Sequence, residues 1–197
     1  MYETRGSVYC YKDTDVLVNK LEIKDNILLK EYERSIVAIK LLELEKIQSE
    51  GIFDVNHFCN IHRFLFEDIY NFAGLFRNED IAKDNFKFAR WEYIEEQLVR
   101  LFAELEREEY LYGVDKDKLA KRLSYYISEL NVIHPFREGN GRTIREFARQ
   151  LAIKNNYYLN FNQVSAEKIL NASIKSVMDT TDLENVIYMC LQKIHND

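Results

Sequence analysis

Within the twelve residues His134 to Arg145, read as His-Pro-Phe-Arg-Glu-Gly-Asn-Gly-Arg-Thr-Ile-Arg, the chain gathers groups able to handle a phosphorylated substrate. A glycine-rich turn that opens a helix leaves backbone N–H groups unpaired, with the positive end of the helix dipole behind them, and so forms an anion site. Around it stand Asn140 as a further donor, Arg142 and Arg145 as fixed cations, Glu138 as an oxygen ligand for a hard cation, and His134 at the loop entrance. Together they suit a polyphosphate with Mg²⁺ and a base beside it. A side chain at Gly139 or Gly141 would crowd the phosphate or need a strained φ.

The flanking sequence predicts helix, tight loop, helix. The protein has six glycines and one proline, and this segment holds two of those glycines and Pro135, so helix-breaking chemistry is concentrated here. Leu119, Leu123, Ile127 and Leu130 recur at helical spacing before the loop, and Ile144, Phe147, Ala148 and Leu151 restart the period after it. A residue preceding proline is pushed out of the α region, so the first helix should stop near His134. Singly, the histidine could be a helix cap and the arginine pair a solvated face; so many specified positions in one turn are not what a helical turn alone requires.

The segment resembles, at every specified position, the signature of the Fic (filamentation induced by cAMP) family, His-x-Phe-x-(Asp/Glu)-Gly-Asn-Gly-Arg-x-x-Arg. The resemblance implies an all-α fold, a single helical domain with a short β-hairpin flap, and transfer of AMP from Mg-ATP to a hydroxyl side chain of another protein. By position, His134 would take the target hydroxyl's proton, Glu138 would bind Mg²⁺, Gly139, Asn140, Gly141 and Arg142 would hold the α and β phosphates, and Arg145 the γ phosphate. Phe136 would be a core residue that fixes the loop. A kinase of the Doc type would carry a lysine where Gly141 stands, and a catalytically idle nucleotide-sensing module would not need His134 and Glu138. Transfer of another nucleotide stays open.

The composition sets the limits. The 197 residues, 47% hydrophobic and 30% charged, suffice for one soluble domain that buries about 70% of the unfolded chain's surface. A net charge of −6 argues against nucleic acid as the main partner. Cys10, Cys59 and Cys190 lie far apart and form no Cys-x-x-Cys pair, which indicates neither a disulfide framework nor a zinc site. No apolar run has the length of a signal peptide or membrane span, so a cytoplasmic protein is expected.

In chain order, residues 1–55 read as an arm and a long helix on the core, and 56–197 as the Fic domain. Met1 to Lys24 looks like an irregular arm, followed by a helix from Asp25 to about Gln48, with Ile36, Ile39, Leu42 and Ile47 apolar and Gly51 past its end. Asn56 to Phe72 should be a second helix, ending at Gly74, in which His62 supports the core. Between Arg77 and Ala89 the period changes, and Ile81, Phe86 and Phe88 around Asp84-Asn85 suggest a hairpin. In Fic proteins that hairpin is the flap that pairs with the target segment, and Lys83 and Phe86 match it in type, whereas Asp84 stands where the family often has glycine.

Trp91 to Arg107 should bury Ile94, Leu98, Leu101, Phe102 and Leu105, leaving Glu92, Glu95, Glu96 and Glu104 solvated. Asp115 or Lys116 starts the helix that reaches His134, Tyr157 to Asn162 is extended, and Ser165 and Thr181 open two last helices. Thr180 to Asn185 fits the letters (Ser/Thr)-x-x-x-Glu-(Gly/Asn) of the inhibitory Fic helix, but Thr181 and Glu184 also read as a capping box, which explains the glutamate locally. The absence of a better match, with Lys46 standing where Glu50-Gly51 would need Ser or Thr, implies a separate small helical antitoxin carrying that motif. It would dock beside the long helix and place its glutamate on Arg145.

Overall fold

The structure is a computed structural model that describes residues 7–46, 52–83 and 86–194. Among these residues seven α-helices carry the fold: α1 (Asn26–Lys46), α2 (Val55–Phe66), α3 (Ile94–Arg107), α4 (Lys116–Ile133), α5 (Asn140–Lys154), α6 (Ala166–Lys175) and α7 (Thr181–Cys190). A hairpin pairs β1 (Ala82–Lys83) with β2 (Phe86–Lys87) in the register Lys83 opposite Phe86. Its expected tip, Asp84-Asn85, lies outside the described residues. A second antiparallel pair, β3 (Tyr157–Leu159) with β4 (Leu191–Lys193), closes the C-terminal end; β3 falls in the stretch expected to be extended, but its pairing with the three-residue β4 was not foreseen. The expected all-α domain with a short hairpin is thus the observed architecture.

Helix α5 is the centre. Its apolar line Ile144, Phe147, Ala148 and Leu151 is buried, as periodicity predicts, and packs on α2, α4 and β3. Phe147 meets Phe58 and Phe102 edge-on at 5.5 and 5.3 Å, and Phe58 reaches Phe136 of the core loop at 5.4 Å, so aromatic packing ties the loop to the interior. Helix α3 buries the five expected side chains. Its first turn, Trp91–Tyr93, is 3₁₀ and not α. Glu104 departs from the solvated reading: it pairs with Arg122 at 2.7 Å and accepts from the Tyr125 hydroxyl at 3.0 Å.

Helix α1 begins where expected, because the Asp25 carboxylate caps the N–H groups of Ile27 and Leu28. Gln48, Ile47 and Gly51 lie outside the described residues. The face turned inward differs from the expected one: Leu29, Glu33 and Val37 are buried, whereas Ile39 and Leu42 are exposed. A buried glutamate on the inner line breaks the apolar pattern that sequence periodicity follows. Helix α2 stops at Phe66, six residues before the expected end. Ile69 and Tyr70 both donate to the Phe66 carbonyl, and the chain then turns so that Gly74, at φ +77°, gives its N–H to His62 Nδ1 at 2.8 Å.

At α7 the capping box is not formed. Thr181 instead donates both its N–H and its hydroxyl to Asp179, at 2.9 and 2.6 Å, which holds the Asp179 carboxyl below its usual pKa. The nearer acceptor has taken the donor that Glu184 would have needed.

Candidate active site

The αL conformation of His134, φ 49° and ψ 60°, ends α4 and turns the chain into the core loop. Arg77 holds that end together. Its guanidinium, 2% exposed, donates to the carbonyls of His134 at 2.8 Å, Glu79 at 2.7 Å and Ile133 at 3.2 Å, and also to Ala89. A cation on the last carbonyls of a helix satisfies acceptors that the helix cannot. The sequence marked Arg77 only as the start of the hairpin stretch; no local pattern gives a cap from a residue 57 positions away.

The same α4 end fixes the tautomer of His134. Its Nδ1 lies 3.1 Å from the Asn131 carbonyl, an obligate acceptor, so Nδ1 carries the proton and Nε2 keeps the lone pair. Burial, with Arg77 and Lys83 adding to it, pushes the ring's pKa down to about 3, so the imidazole is neutral at physiological pH. Phe88 stacks on it at 3.9 Å. Phe86 touches Phe88 edge-on at 5.2 Å, so the flap residue singled out by sequence packs on the ring that stacks against the histidine.

After the turn, Gly139 is the residue before α5, at φ +81°, and a Cβ there would lie 2.2 Å from the Phe66 ring. Gly141 is helical, and a Cβ would meet only the end of the Arg145 side chain, at 3.3 Å. Asn140 is 1% exposed, and its amide is spent within the loop: Oδ1 accepts from Phe136 N–H at 2.9 Å and Nδ2 donates to Phe136 carbonyl at 2.7 Å. The expected side-chain donor to phosphate is therefore a staple of the loop, and Asn140 offers an anion only its backbone N–H. His62 completes the support, donating from Nε2 to the Glu138 carbonyl at 2.9 Å while stacked on Phe136 at 3.8 Å. Burial lowers its pKa to about 3, which keeps Nδ1 an acceptor for Gly74.

Lys83, His134, Gly141 and Arg145 share the wall of a cavity of about 490 Å³. Its remaining wall is mostly apolar, with Leu170, Leu183 and Ile187 supplied by α6 and α7. A concave site that combines apolar side chains with several polar groups, Asn131, Asn162 and Ser173 among them, has the make-up of a small-molecule pocket. Sequence reasoning missed the contribution of α7, since those residues also satisfy an ordinary core-facing stripe. Arg145 reaches solvent and has no ion pair among the described residues, and the enclosing protein, then Arg142, lowers its pKa. Glu138 and Arg142 stand beside the cavity and not in its wall. Glu138 Oε1 accepts from Gly139 N–H at 2.9 Å and from Arg142 at 3.4 Å. Arg142 also pairs with Glu33 of α1 at 2.6 Å.

The sequence profile of the Fic/DOC family matches residues 52–152, which hold the whole of this loop and its supports on α2 and α5. The chain belongs to the Fic/DOC family. Among Fic relatives it is 40% identical over 94% of its length to the protein adenylyltransferase VbhT of Bartonella schoenbuchensis, of which it spans 39%. It is 34% identical to the probable protein adenylyltransferase Fic of Escherichia coli, with 90% of this chain and 88% of that one aligned. The BepC protein of Bartonella tribocorum, solved with bound AMPPNP, has the same fold, with a TM-score of 0.91, 22% identity and 98% and 99% of the two chains covered. The N-terminal Fic domain of a Bartonella quintana cell filamentation protein, solved with bound ADP, gives 0.89 at 25% identity over 94% of this chain and 95% of its own.

Proposed function

We propose that the chain is a protein adenylyltransferase that moves AMP from Mg-ATP to a hydroxyl side chain of a protein target. The observation that carries the reading is His134, neutral, with the proton on Nδ1 and the lone pair on Nε2, its ring in the wall of the cavity that also holds Gly141 and Arg145. Nε2 accepts the proton of the target hydroxyl as its oxygen attacks the α phosphorus. The bond from that phosphorus to the bridging oxygen breaks, and pyrophosphate leaves. Arg145, a cation of the wall with no ion pair among the described residues, would take the γ phosphate, and the helix start at Asn140 and Gly141 the others. Names support the chemistry: relatives at 31–40% identity are called protein adenylyltransferases, whether certain or probable.

Glu138 would hold the Mg²⁺. No cluster of three or more metal-binding side chains exists among the described residues, which fits an ion that takes one carboxylate and completes its shell with phosphate and water. When bound, the ion neutralises the triphosphate charge that would otherwise oppose the attack. Intact-mass spectrometry of the chain and a lysate incubated with Mg-ATP tests the reading. The expected result is a gain of one AMP mass on the chain or on a target band; a gain of phosphate alone, or no gain, would contradict it.

The flap presents the target. Proline at Lys87, opposite Ala82 in the hairpin, disturbs the strand that would pair with an incoming segment. Lys87→Pro should lower modification of a protein target at least tenfold while Mg-ATP affinity, read by calorimetry, stays within twofold. Unchanged target modification would place recognition elsewhere.

Control is proposed to come in trans, from a small helical antitoxin with (Ser/Thr)-x-x-x-Glu-(Gly/Asn), the chain acting as the toxin in the cytoplasm. Arg145 lacks a carboxylate partner among the described residues, and on α7 it is Leu183 and Ile187 that face the cavity, with Glu184 outside its lining. No helix among the described residues is long and apolar enough to cross a membrane. Glu184→Gly should leave automodification of the purified chain unchanged, at a stability cost of about 1 kcal/mol for glycine in a helix. A large rise in automodification would instead make Glu184 an internal inhibitor.

A further inference from the structure

Arg142 has two acidic partners of different character. Its Nη1 lies 2.6 Å from Oε1 of Glu33, a residue of α1 that is 8% exposed, and its guanidinium lies over the Phe66 ring at 4.8 Å. Its Nη2 lies 3.4 Å from Glu138 Oε1, outside the distance of a strong charge-assisted bond, and the Glu138 side chain is 32% exposed. The second oxygen of Glu33 accepts from the hydroxyl of Tyr70, itself 2% exposed. Burial, then the Glu33 charge, raises the Tyr70 pKa, so the hydroxyl stays a donor.

Resting on the transferase reading, we propose that Glu33 is a positioning residue for the reaction: with Tyr70 behind it, it anchors Arg142 through Nη1, leaving Nη2 to exchange Glu138 for a phosphate oxygen of the bound nucleotide. The asymmetry of the two contacts decides which one gives way. Releasing Glu33 would strand a buried carboxylate with only a tyrosine for company, whereas Glu138 can rehydrate or take a cation. An incoming phosphate therefore displaces Glu138 from Arg142 and frees the carboxylate that would hold Mg²⁺. Glu33 lies before the segment matched by the family profile, and the loop signature assigns it no part. Helix α1 thereby becomes a component of the phosphate site, through the one polar residue on its buried line.

A double-mutant cycle on the full chain separates anchoring from mere support. Glu33→Gln should lower kcat/KM for Mg-ATP tenfold or more in the otherwise native chain, and less than twofold in an Arg142→Ala background. Affinity for a non-transferable Mg-ATP analogue, read by calorimetry, should show the same dependence on Arg142. Tyr70→Phe, which removes one hydroxyl, should give a smaller loss of about threefold and serves if Glu33→Gln does not fold, as judged by urea unfolding. Equal losses in both backgrounds would overturn the proposal, and so would a gain in affinity, which would make Glu33 a competitor of phosphate. A native chain that binds the analogue yet transfers nothing would refute the transferase reading alone, since the affinity cycle would still report on Glu33.

Discussion

His134→Ala should lose AMP transfer by about 10² to 10⁴-fold, the usual worth of a general base, with Mg-ATP affinity changed less than twofold. The expectation follows from geometry: the helix-end carbonyl of Asn131 fixes the proton on Nδ1, Arg77 holds the His134 backbone carbonyl and Phe88 stacks on the ring, so the side chain is organised around Nε2. A ring held only for packing would not need a defined tautomer. His134→Asn keeps a polar side chain with little basicity and should be as inactive as alanine. Comparable losses of binding and turnover would show that the ring supports the loop without acting on the hydroxyl.

Gly139→Ala should damage the fold more than any other single methyl in the loop. Two costs add at this position, because φ is +81° and the new Cβ would sit 2.2 Å from the Phe66 ring. The left-handed backbone alone costs about 1–2 kcal/mol, and overpacking a filled site a further 1–3. Phe66 cannot retreat freely, since it carries Arg142 on its face and lies tilted against His62 at 4.7 Å. Gly113 is the control: its φ is +75°, but a Cβ there meets nothing within 4 Å. Urea unfolding should therefore show Gly113→Ala losing about 1–2 kcal/mol and Gly139→Ala clearly more, with activity lost only in the second. Equal losses would mean that backbone strain is the whole effect and that the contact with Phe66 relaxes.

The contrast between those glycines shows what a sequence can reveal. A turn that needs αL backbone favours glycine, and proline ends the helix before it, so the His134 to Gly141 loop is visible in a chain with six glycines and one proline. The buried face of α3 is equally legible, because apolar side chains at helical spacing have one explanation. Long-range polar contacts leave no such trace. Glu33 sits mid-face on α1 between Leu29 and Val37, and nothing local tells it apart from a solvated glutamate. Asn140 has the right type for a phosphate donor, yet its amide closes onto Phe136, a choice made by loop geometry alone. At Thr181 two caps compete for one backbone N–H, and its bond to Asp179 settled what the letters could not.

The central claim is that the cavity and His134 direct attack at the α phosphorus of ATP. It is tested most directly by incubating the purified chain and a target-containing lysate with Mg-ATP radiolabelled on the α phosphate, and in parallel on the γ phosphate. The α label should enter protein in the native chain and be lost in His134→Ala, and the γ label should enter neither. Incorporation of the γ label, or of the α label undiminished in His134→Ala, would contradict the assignment.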